Sequence, residues 1–290
     1  MTDTNKSIQN YLNELTAELA GQDPALVQDA LYDAEQHFIA ALGDPANDQT
    51  SISDIIEKYG PAKDIAQYYC DIEASVDFAL HGARERSPQK DRFAFFTILK
   101  DASAYQAIAF SILSLPLGIL YFAWTVWVGV ISLGASLLIV GMPFFLLYLK
   151  SMSYFSLFEG RLIENMLGER MPRRPFLTRH YEDKPMKERI SLLIKNRRVW
   201  SSALYLALKL PLGMAVFTLG AIPALMSFAL ILSPIVDPLL HSLDPTFTID
   251  IDFYWAPLSI PAGILGLVVT LHLTKFLAKL QANLAKSMLV

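Results

Sequence analysis

Residues 114–122 read SLPLGILYF and residues 209–217 read KLPLGMAVF, so the motif Leu-Pro-Leu-Gly occurs twice, 95 positions apart. Further apolar positions match at an offset of 122, beginning with Phe155 and Leu277. Both copies of the motif lie in long uncharged stretches, where membrane-crossing helices are expected. The sequence therefore predicts an all-α membrane domain made of two related halves, each with two spans and one amphipathic helix.

The uncharged stretches are long enough for four spans. About 20 apolar residues cross the hydrocarbon, so residues 102–149 allow two spans joined by a short turn, with two Trp residues at the far interface. We expect a third span within 202–236, where Pro223 kinks or divides the helix. A fourth span is expected within 253–274.

Charge predicts the orientation of these spans. Residues 150–198 carry 12 basic and 6 acidic side chains, whereas residues 237–252 carry four Asp and no Lys or Arg. Because basic loops stay in the cytoplasm, we expect the basic segment and both termini inside and the acidic loop outside. Halves that both start and end inside are parallel repeats.

The N-terminal part is chemically different from the rest. Residues 1–80 hold 15 acidic and 3 basic side chains, a charge of −12, against +8 for residues 81–290. Apolar residues recur there at helical spacing, and Gly21, Gly43 and the Gly60-Pro61 pair separate four short helices. We predict three parts: a cytoplasmic acidic bundle at 1–80, a basic linker at 81–100, and the membrane domain at 101–290, with repeat 1 at about 104–170, a basic loop at 170–198 and repeat 2 at about 200–290.

One candidate metal site lies in the acidic loop. Asp237, His241 and Asp244 are spaced by four and three residues, which places them on one face of a helix, and carboxylate and imidazole groups bind divalent cations. The same residues have a structural interpretation, since Asp237-Pro238 is a helix start and Asp244-Pro245 a turn.

The two Leu-Pro-Leu-Gly motifs supply Pro116, Gly118, Pro211 and Gly213. A proline removes a helix hydrogen bond and permits a kink, which favours a hinge. Glycine permits close approach of two helices, which favours packing. Both interpretations stay open at this point.

Ionisable residues near the membrane give further candidates. Lys209 and His272 are closest to the hydrocarbon, and we expect Lys209 to extend its ammonium to the inner interface. Two amphipathic segments, Leu157–Leu167 and Leu273–Leu289, are expected to lie in the inner headgroup region, either transmitting a movement or bracing the protein.

The basic loop has three potential binding partners: anionic lipid, nucleic acid and the acidic bundle. Opposite charge makes docking on the bundle plausible, although topology alone explains the bias. Nucleic acid is disfavoured because no aromatic platform accompanies the charge. The basic residues concerned are Arg170, Arg173, Arg174, Arg179, Lys184, Lys187, Arg189, Lys195, Arg197 and Arg198.

Catalysis finds no support in the sequence. There is no nucleophile elbow, zinc-protease motif or phosphate-binding glycine loop, and the single cysteine excludes a disulfide framework. We therefore expect a protein that is not an enzyme and has no cofactor.

Two family resemblances add to this interpretation. Residues 9–70, with YLNELTAEL and IIEKYGPAKDIAQYY, resemble the HAAS domain, a helical signalling module associated with helix-turn-helix regulators. Residues 104–289, with the paired motifs, resemble the bacterial sensor domain found ahead of histidine kinases, although no kinase region follows within this sequence.

The resemblances imply a multi-pass signalling protein of the bacterial inner membrane. It would relay a membrane or outer-face signal to a cytoplasmic partner, such as a PadR-type regulator or a histidine kinase. Lipid handling or small-molecule transport is the alternative, and it requires a polar path between the halves.

Overall fold

The computed structural model describes residues 2–43, 51–81, 95–136, 141–175, 185–243 and 255–289. Within these ranges the chain is helical and contains no strand, as predicted for an all-α protein. The helices are α1 (Thr2–Glu18), α2 (Pro24–Leu42), α3 (Ile52–Tyr59), α4 (Ala62–His81), α5 (Ala102–Ala123), α6 (Gly129–Ser136), α7 (Met142–Leu167), α8 (Met186–Lys195), α9 (Arg197–Val216), α10 (Ile222–Leu243) and α11 (Ala256–Leu289).

Helices α1 to α4 form the N-terminal bundle, and local sequence signals set their ends. Asp23 caps α2 by accepting a hydrogen bond from the amide of Ala25, and Ser51 forms a capping box with Asp54 at the start of α3. Gly60 adopts a φ of 109°, a conformation that favours glycine, between α3 and α4.

The bundle core consists of the apolar stripes predicted for its helices. Leu15, Leu19 and Phe38 are fully buried there. The hydroxyl of Tyr11 donates to the carbonyl of Gly60 at 3.0 Å, and burial, followed by the charges of Tyr59 and Glu14, raises the pKa of Tyr11 to about 12. The turn between α3 and α4 is thereby tied to α1.

Three helical stretches are long and apolar enough to cross a membrane: Ala102–Ser136, Arg197–Asp237 and Ala256–Leu289. Helix α7, which carries Lys150 and Glu159, is not among them, so the prediction of four spans stays a prediction. The first stretch has 35 residues and is about 52 Å long, which exceeds the hydrocarbon thickness of about 30 Å.

Two long stretches pass through π-helical segments without turning back. Trp124–Val128 joins α5 to α6, and the helix runs through the two Trp residues to Ser136, so the short turn predicted within 102–149 stays a prediction for the chain after Ser136. Phe217–Ala221 joins α9 to α10 directly before Pro223, so that proline does not divide the helix. A π segment absorbs one extra residue per turn and often occurs at functional sites.

The amphipathic segments are also continuous with apolar helices. Leu157–Leu167 is the end of α7 and Leu273–Leu289 the end of α11, so they are not separate helices. Ile163, Ala282 and Ala285 of these segments are buried in one cluster with side chains of α5 and α9. Their placement in the headgroup region stays a prediction.

Candidate functional site

The bundle docks on the membrane domain, and Asp29 of α2 is the central residue of this contact. Asp29 is 5% exposed. Its carboxylate accepts hydrogen bonds from the backbone amides of Arg173 and Arg174 at 2.9 and 2.8 Å. The guanidinium of Arg170 donates to the same carboxylate at 2.9 Å. Three donors from residues 170–174, which we call the clasp, thus converge on one side chain.

The clasp is anchored to α7 as well. Helix α7 ends at Gly168, whose φ of 76° is the left-handed conformation common after a helix C-terminus. Met171 is fully buried and packs against Gly160 of α7. The guanidinium of Arg173 pairs with Glu164 at 2.6 Å, which raises the pKa of Arg173. A movement of the end of α7 therefore moves the clasp.

Two further ion pairs of the clasp reach the bundle. The Nε atom of Arg170 lies 2.8 Å from Glu73 of α4, and Arg174 lies 2.9 Å from Asp33 of α2. The hydroxyl of Tyr69 also donates to Asp33 at 3.1 Å. The clasp therefore holds two bundle helices at once.

The remainder of the contact involves the start of α9 and the end of α11. The amide of Gln28 donates to the carbonyl of Arg174 at 3.0 Å, and its oxygen accepts from Arg198 at 3.0 Å. Lys286 pairs with Asp23 at 2.5 Å. Four residues of the predicted basic loop therefore contact the bundle, as opposite charge favoured, and Arg179 and Lys184 lie outside the described residues.

Burial acts against the ionised form of Asp29. It raises the pKa of this carboxyl, although the two backbone amides and Arg170 act in the opposite direction. A desolvated charge of this kind is costly to leave without its donors. Docking therefore depends on the clasp keeping the conformation in which its three donors reach Asp29.

A buried ion pair lies inside the membrane domain. The ammonium of Lys209 is fully buried, bonds to the carboxylate of Glu159 and lies 4.8 Å from the ring centre of Phe110. The hydroxyl of Tyr205 donates to the same Glu159 oxygen at 3.2 Å. The other oxygen, Oε2, has no hydrogen-bond partner among the described residues. The expectation that Lys209 extends to the interface is therefore wrong, because Glu159 supplies a counter-charge inside.

The two Leu-Pro-Leu-Gly motifs meet at the crossing of α5 and α9. A Cβ on Gly118 would lie 2.7 Å from the carbonyl oxygen of Lys209, and a Cβ on Gly213 would lie 2.4 Å from that of Ser114. The hydroxyl of Ser111 donates to the carbonyl of Val216 at 2.6 Å. Both glycines thus permit backbone contact, which favours the packing interpretation.

These contacts run in opposite directions along the two helices. As the position rises from Ser111 through Ser114 to Gly118, its partner falls from Val216 through Gly213 to Lys209. Helices α5 and α9 are therefore antiparallel where they touch, and the expectation that equivalent helices run the same way is wrong for this region.

The proposed duplication pairs the polar contacts as well. At the offsets of 95 and 122, Lys209 corresponds to Ser114, and Glu159 to Gln281. Gln281 donates to the hydroxyl of Ser114 at 3.4 Å, in the place where the other half has its ion pair. One half therefore carries a charged contact and the other a neutral one, as a diverged repeat would.

The remaining candidates from the sequence stay apart from this contact. Asp237 lies on α10, His241 lies in the part of α10 whose side chains are not described, and Asp244 lies outside the described residues. Within the described part of the chain, no cluster of three potential metal ligands occurs. His272 stacks on Phe95 with ring centres 5.0 Å apart. The metal site stays a prediction.

Comparison with known proteins follows the same division of the chain. The family model described as Putative sensor matches residues 110–289, more than half of the sequence. This chain belongs to the Putative sensor family. The HAAS family model matches residues 10–68, so both expected resemblances are confirmed. No curated protein and no solved structure matches the chain.

Together, the two families and the three apolar helices support a membrane protein with a sensor or signalling role, and neither family is enzymatic. The matched part of the membrane domain, residues 110–289, is the sensor domain, and α1 to α4 form the HAAS bundle. Sequence reasoning missed Asp29 and Glu159. The signal for Glu159 was present, because the repeat offset pairs it with the polar Gln281 within an otherwise apolar match.

Proposed function

We propose that the sensor domain holds the HAAS bundle in a docked state and that a membrane or outer-face signal releases the bundle to a cytoplasmic partner. The observation that carries this proposal is the convergence of three clasp donors on Asp29. The HAAS bundle, a signalling module, is thereby bound by the clasp, which follows α7 of the sensor domain.

The chemistry of the contact suits reversible docking. Apart from Asp29, its ion pairs are partly exposed: the side chain of Arg174 is 52% exposed and that of Asp33 is 30% exposed. Pairs of this kind contribute about 0–1 kcal/mol each, and polar contacts between domains resemble those of transient complexes. A modest change at one critical residue is therefore sufficient to shift the docked population.

Helix α7 supplies a route from the sensor domain to the clasp. Glu159 binds Lys209 of α9, and Glu164 binds Arg173 of the clasp. Five residues separate the two carboxylates, a rise of about 7.5 Å on one rigid helix. A shift of α7 against α9 therefore changes the clasp geometry, which is the physical content of the proposed relay.

The orientation and the partner belong to the same proposal. The excess of Lys and Arg in residues 150–198, on which the acidic bundle docks, supports placing this segment and the bundle on the cytoplasmic side of an inner membrane. The HAAS match supports a PadR-type regulator as partner, and the Putative sensor match supports a histidine kinase. Lipid handling or small-molecule transport is the rival function, and the buried Glu159 and Lys209 are the polar groups on which it would rest.

The test compares three forms of the full-length protein in lipid nanodiscs: the native chain, Asp29→Ala and Asp71→Ala. Asp71 is an exposed carboxylate of α4 and serves as the matched control. Bound cytoplasmic proteins are identified by mass spectrometry. Among the three forms, we expect only Asp29→Ala to be enriched in a bound regulator or kinase. Removal of residues 1–80 should abolish this capture. Equal capture by all three forms would refute control by docking.

A further inference from the structure

A cleft of about 660 Å³ lies between the HAAS bundle and the sensor domain. Its bundle wall is largely apolar, with Pro24, Val27 and Leu31 of α2, and carries one carboxylate, Glu35. Its opposite wall carries Arg198, Lys286 and Ser287. Volumes of this size are typical of small-molecule sites, which occur preferentially at domain interfaces.

The missing counter-charge of Arg198 points to an anionic ligand. Its guanidinium offers five donors, yet the side-chain bond found for it goes to the neutral oxygen of Gln28. Among the described residues, no carboxylate lies within ion-pair distance of Arg198, whereas Arg170, Arg173 and Arg174 each have at least one. Arg198 is thus a cation on the cleft wall without a counter-charge from the described part of the chain.

The second cation of the wall is only partly satisfied by the protein. Lys286 pairs with Asp23, but its side chain is still 26% exposed and it carries three donors. Arg198 lies in the first turn of α9, a helix of a candidate span, and Trp200, two residues on, is 54% exposed. Exposed Trp residues at helix ends are typical of the membrane interface.

We propose that this cleft binds an anionic phospholipid of the membrane in which the sensor domain lies. The phosphate would lie between Arg198 and Lys286, where guanidinium and ammonium groups form charge-assisted hydrogen bonds with its oxygens. One acyl chain would lie against Pro24, Val27 and Leu31. The combination of two cations and one apolar wall selects an amphiphilic anion over a simple ion.

Lipid binding has a regulatory consequence, which rests on the proposed function. Arg198 and Lys286 are the residues that hold Gln28 and Asp23 of the bundle. A phosphate competes with both bundle groups for these donors, while the clasp on Asp29 is untouched. The lipid therefore weakens one side of the docking contact and leaves the other as a pivot.

The binding test uses the full-length protein in nanodiscs of phosphatidylcholine with or without phosphatidylglycerol. After transfer to mild detergent, retained lipid is counted by native mass spectrometry. We expect one phosphatidylglycerol per chain for the native form and at least a tenfold loss for Arg198→Gln and Lys286→Gln. Lys279→Gln, an exposed cation on the same helix, is the matched control and should retain the lipid.

A variant that fills the cleft and a competition experiment distinguish the possible outcomes. Ala20→Trp fills the cleft from an exposed position of the bundle and should also expel the lipid without removing a charge. Equal retention by all variants, or retention of phosphatidylcholine alone, would overturn the proposal. If inorganic phosphate at about 10 mM and oleate each displaced the lipid to about the same extent, the choice of a phospholipid would be overturned. Because lipid counting does not depend on docking, its failure is distinct from failure of the relay.

Discussion

Removing the carboxylate of Asp29 should release the bundle, and the size of the effect follows from the contacts that are lost. In Asp29→Ala the backbone amides of Arg173 and Arg174 lose their acceptor, while Arg170 keeps Glu73. An unsatisfied buried donor costs about 1–3 kcal/mol, so two of them, partly relieved by water, cost about 2–4 kcal/mol. At about 1.4 kcal/mol for each factor of ten, the equilibrium constant for docking should fall about 30- to 700-fold.

Asp29→Asn provides the informative comparison. Its amide oxygen, in the place of Oδ1, still accepts hydrogen bonds from the two backbone donors, whereas its NH2 group replaces Oδ2, so the charge and the hydrogen bond from Arg170 are lost. We expect a loss of about 1 kcal/mol, near the value of one ordinary hydrogen bond. The order native, then Asn, then Ala therefore tests whether the backbone amides of the clasp carry the docking energy.

The assay measures undocking directly. Fluorescent labels on Lys63→Cys of α4 and Lys279→Cys of α11, both exposed positions, report the distance between bundle and sensor domain in a Cys70→Ser background. A urea titration gives the free energy of undocking for each variant. If Ala and Asn differ from the native chain by the same small amount, or if neither shifts the transition, the assigned role of Asp29 is refuted.

Three further predictions concern the sensor domain and are tested by unfolding in detergent. Lys209→Met should cost about 3–5 kcal/mol because it strands the Glu159 carboxylate, and adding Glu159→Gln should recover most of this; additive losses would contradict the coupling. Gly213→Ala should cost about 1–3 kcal/mol because its Cβ meets a backbone oxygen at 2.4 Å, whereas Gly134→Ala, with open space around it, should not destabilise; equal effects would argue against close packing. Although burial acts to raise it, hydrogen bonds from Lys275 and Ser103 lower the pKa of Asp101 from its usual value of 3.8 to about 2. The stabilisation by Asp101 should therefore be present above pH 3.8 and be lost as pH falls through about 2. Since the side chain is 33% exposed, the loss should stay near 1 kcal/mol, and an acid transition unchanged in Asp101→Asn would contradict it.

The fold class followed from sequence because helical periodicity and long uncharged runs are local properties. The caps at Asp23 and Ser51 and the breaks at Gly21 and Gly60 could each be read within a few residues. Both family matches likewise rest on linear motifs. The position of the turn within 102–149 could not be predicted, because composition does not show that the first helix continues through a π segment to Ser136.

Contacts between distant residues required the tertiary structure. Lys209 and Glu159 are 50 positions apart, and Asp29 and Arg170 are 141 apart, so nothing local states that they pair. Hydropathy counts each of them as a single charge, whereas the three-dimensional arrangement decides whether that charge has a partner, since its cost depends on the atoms around it. The sequence by itself determined an acidic helical bundle joined to an apolar helical domain with a basic segment, and only the tertiary structure decided that the bundle docks on that segment through one buried carboxylate.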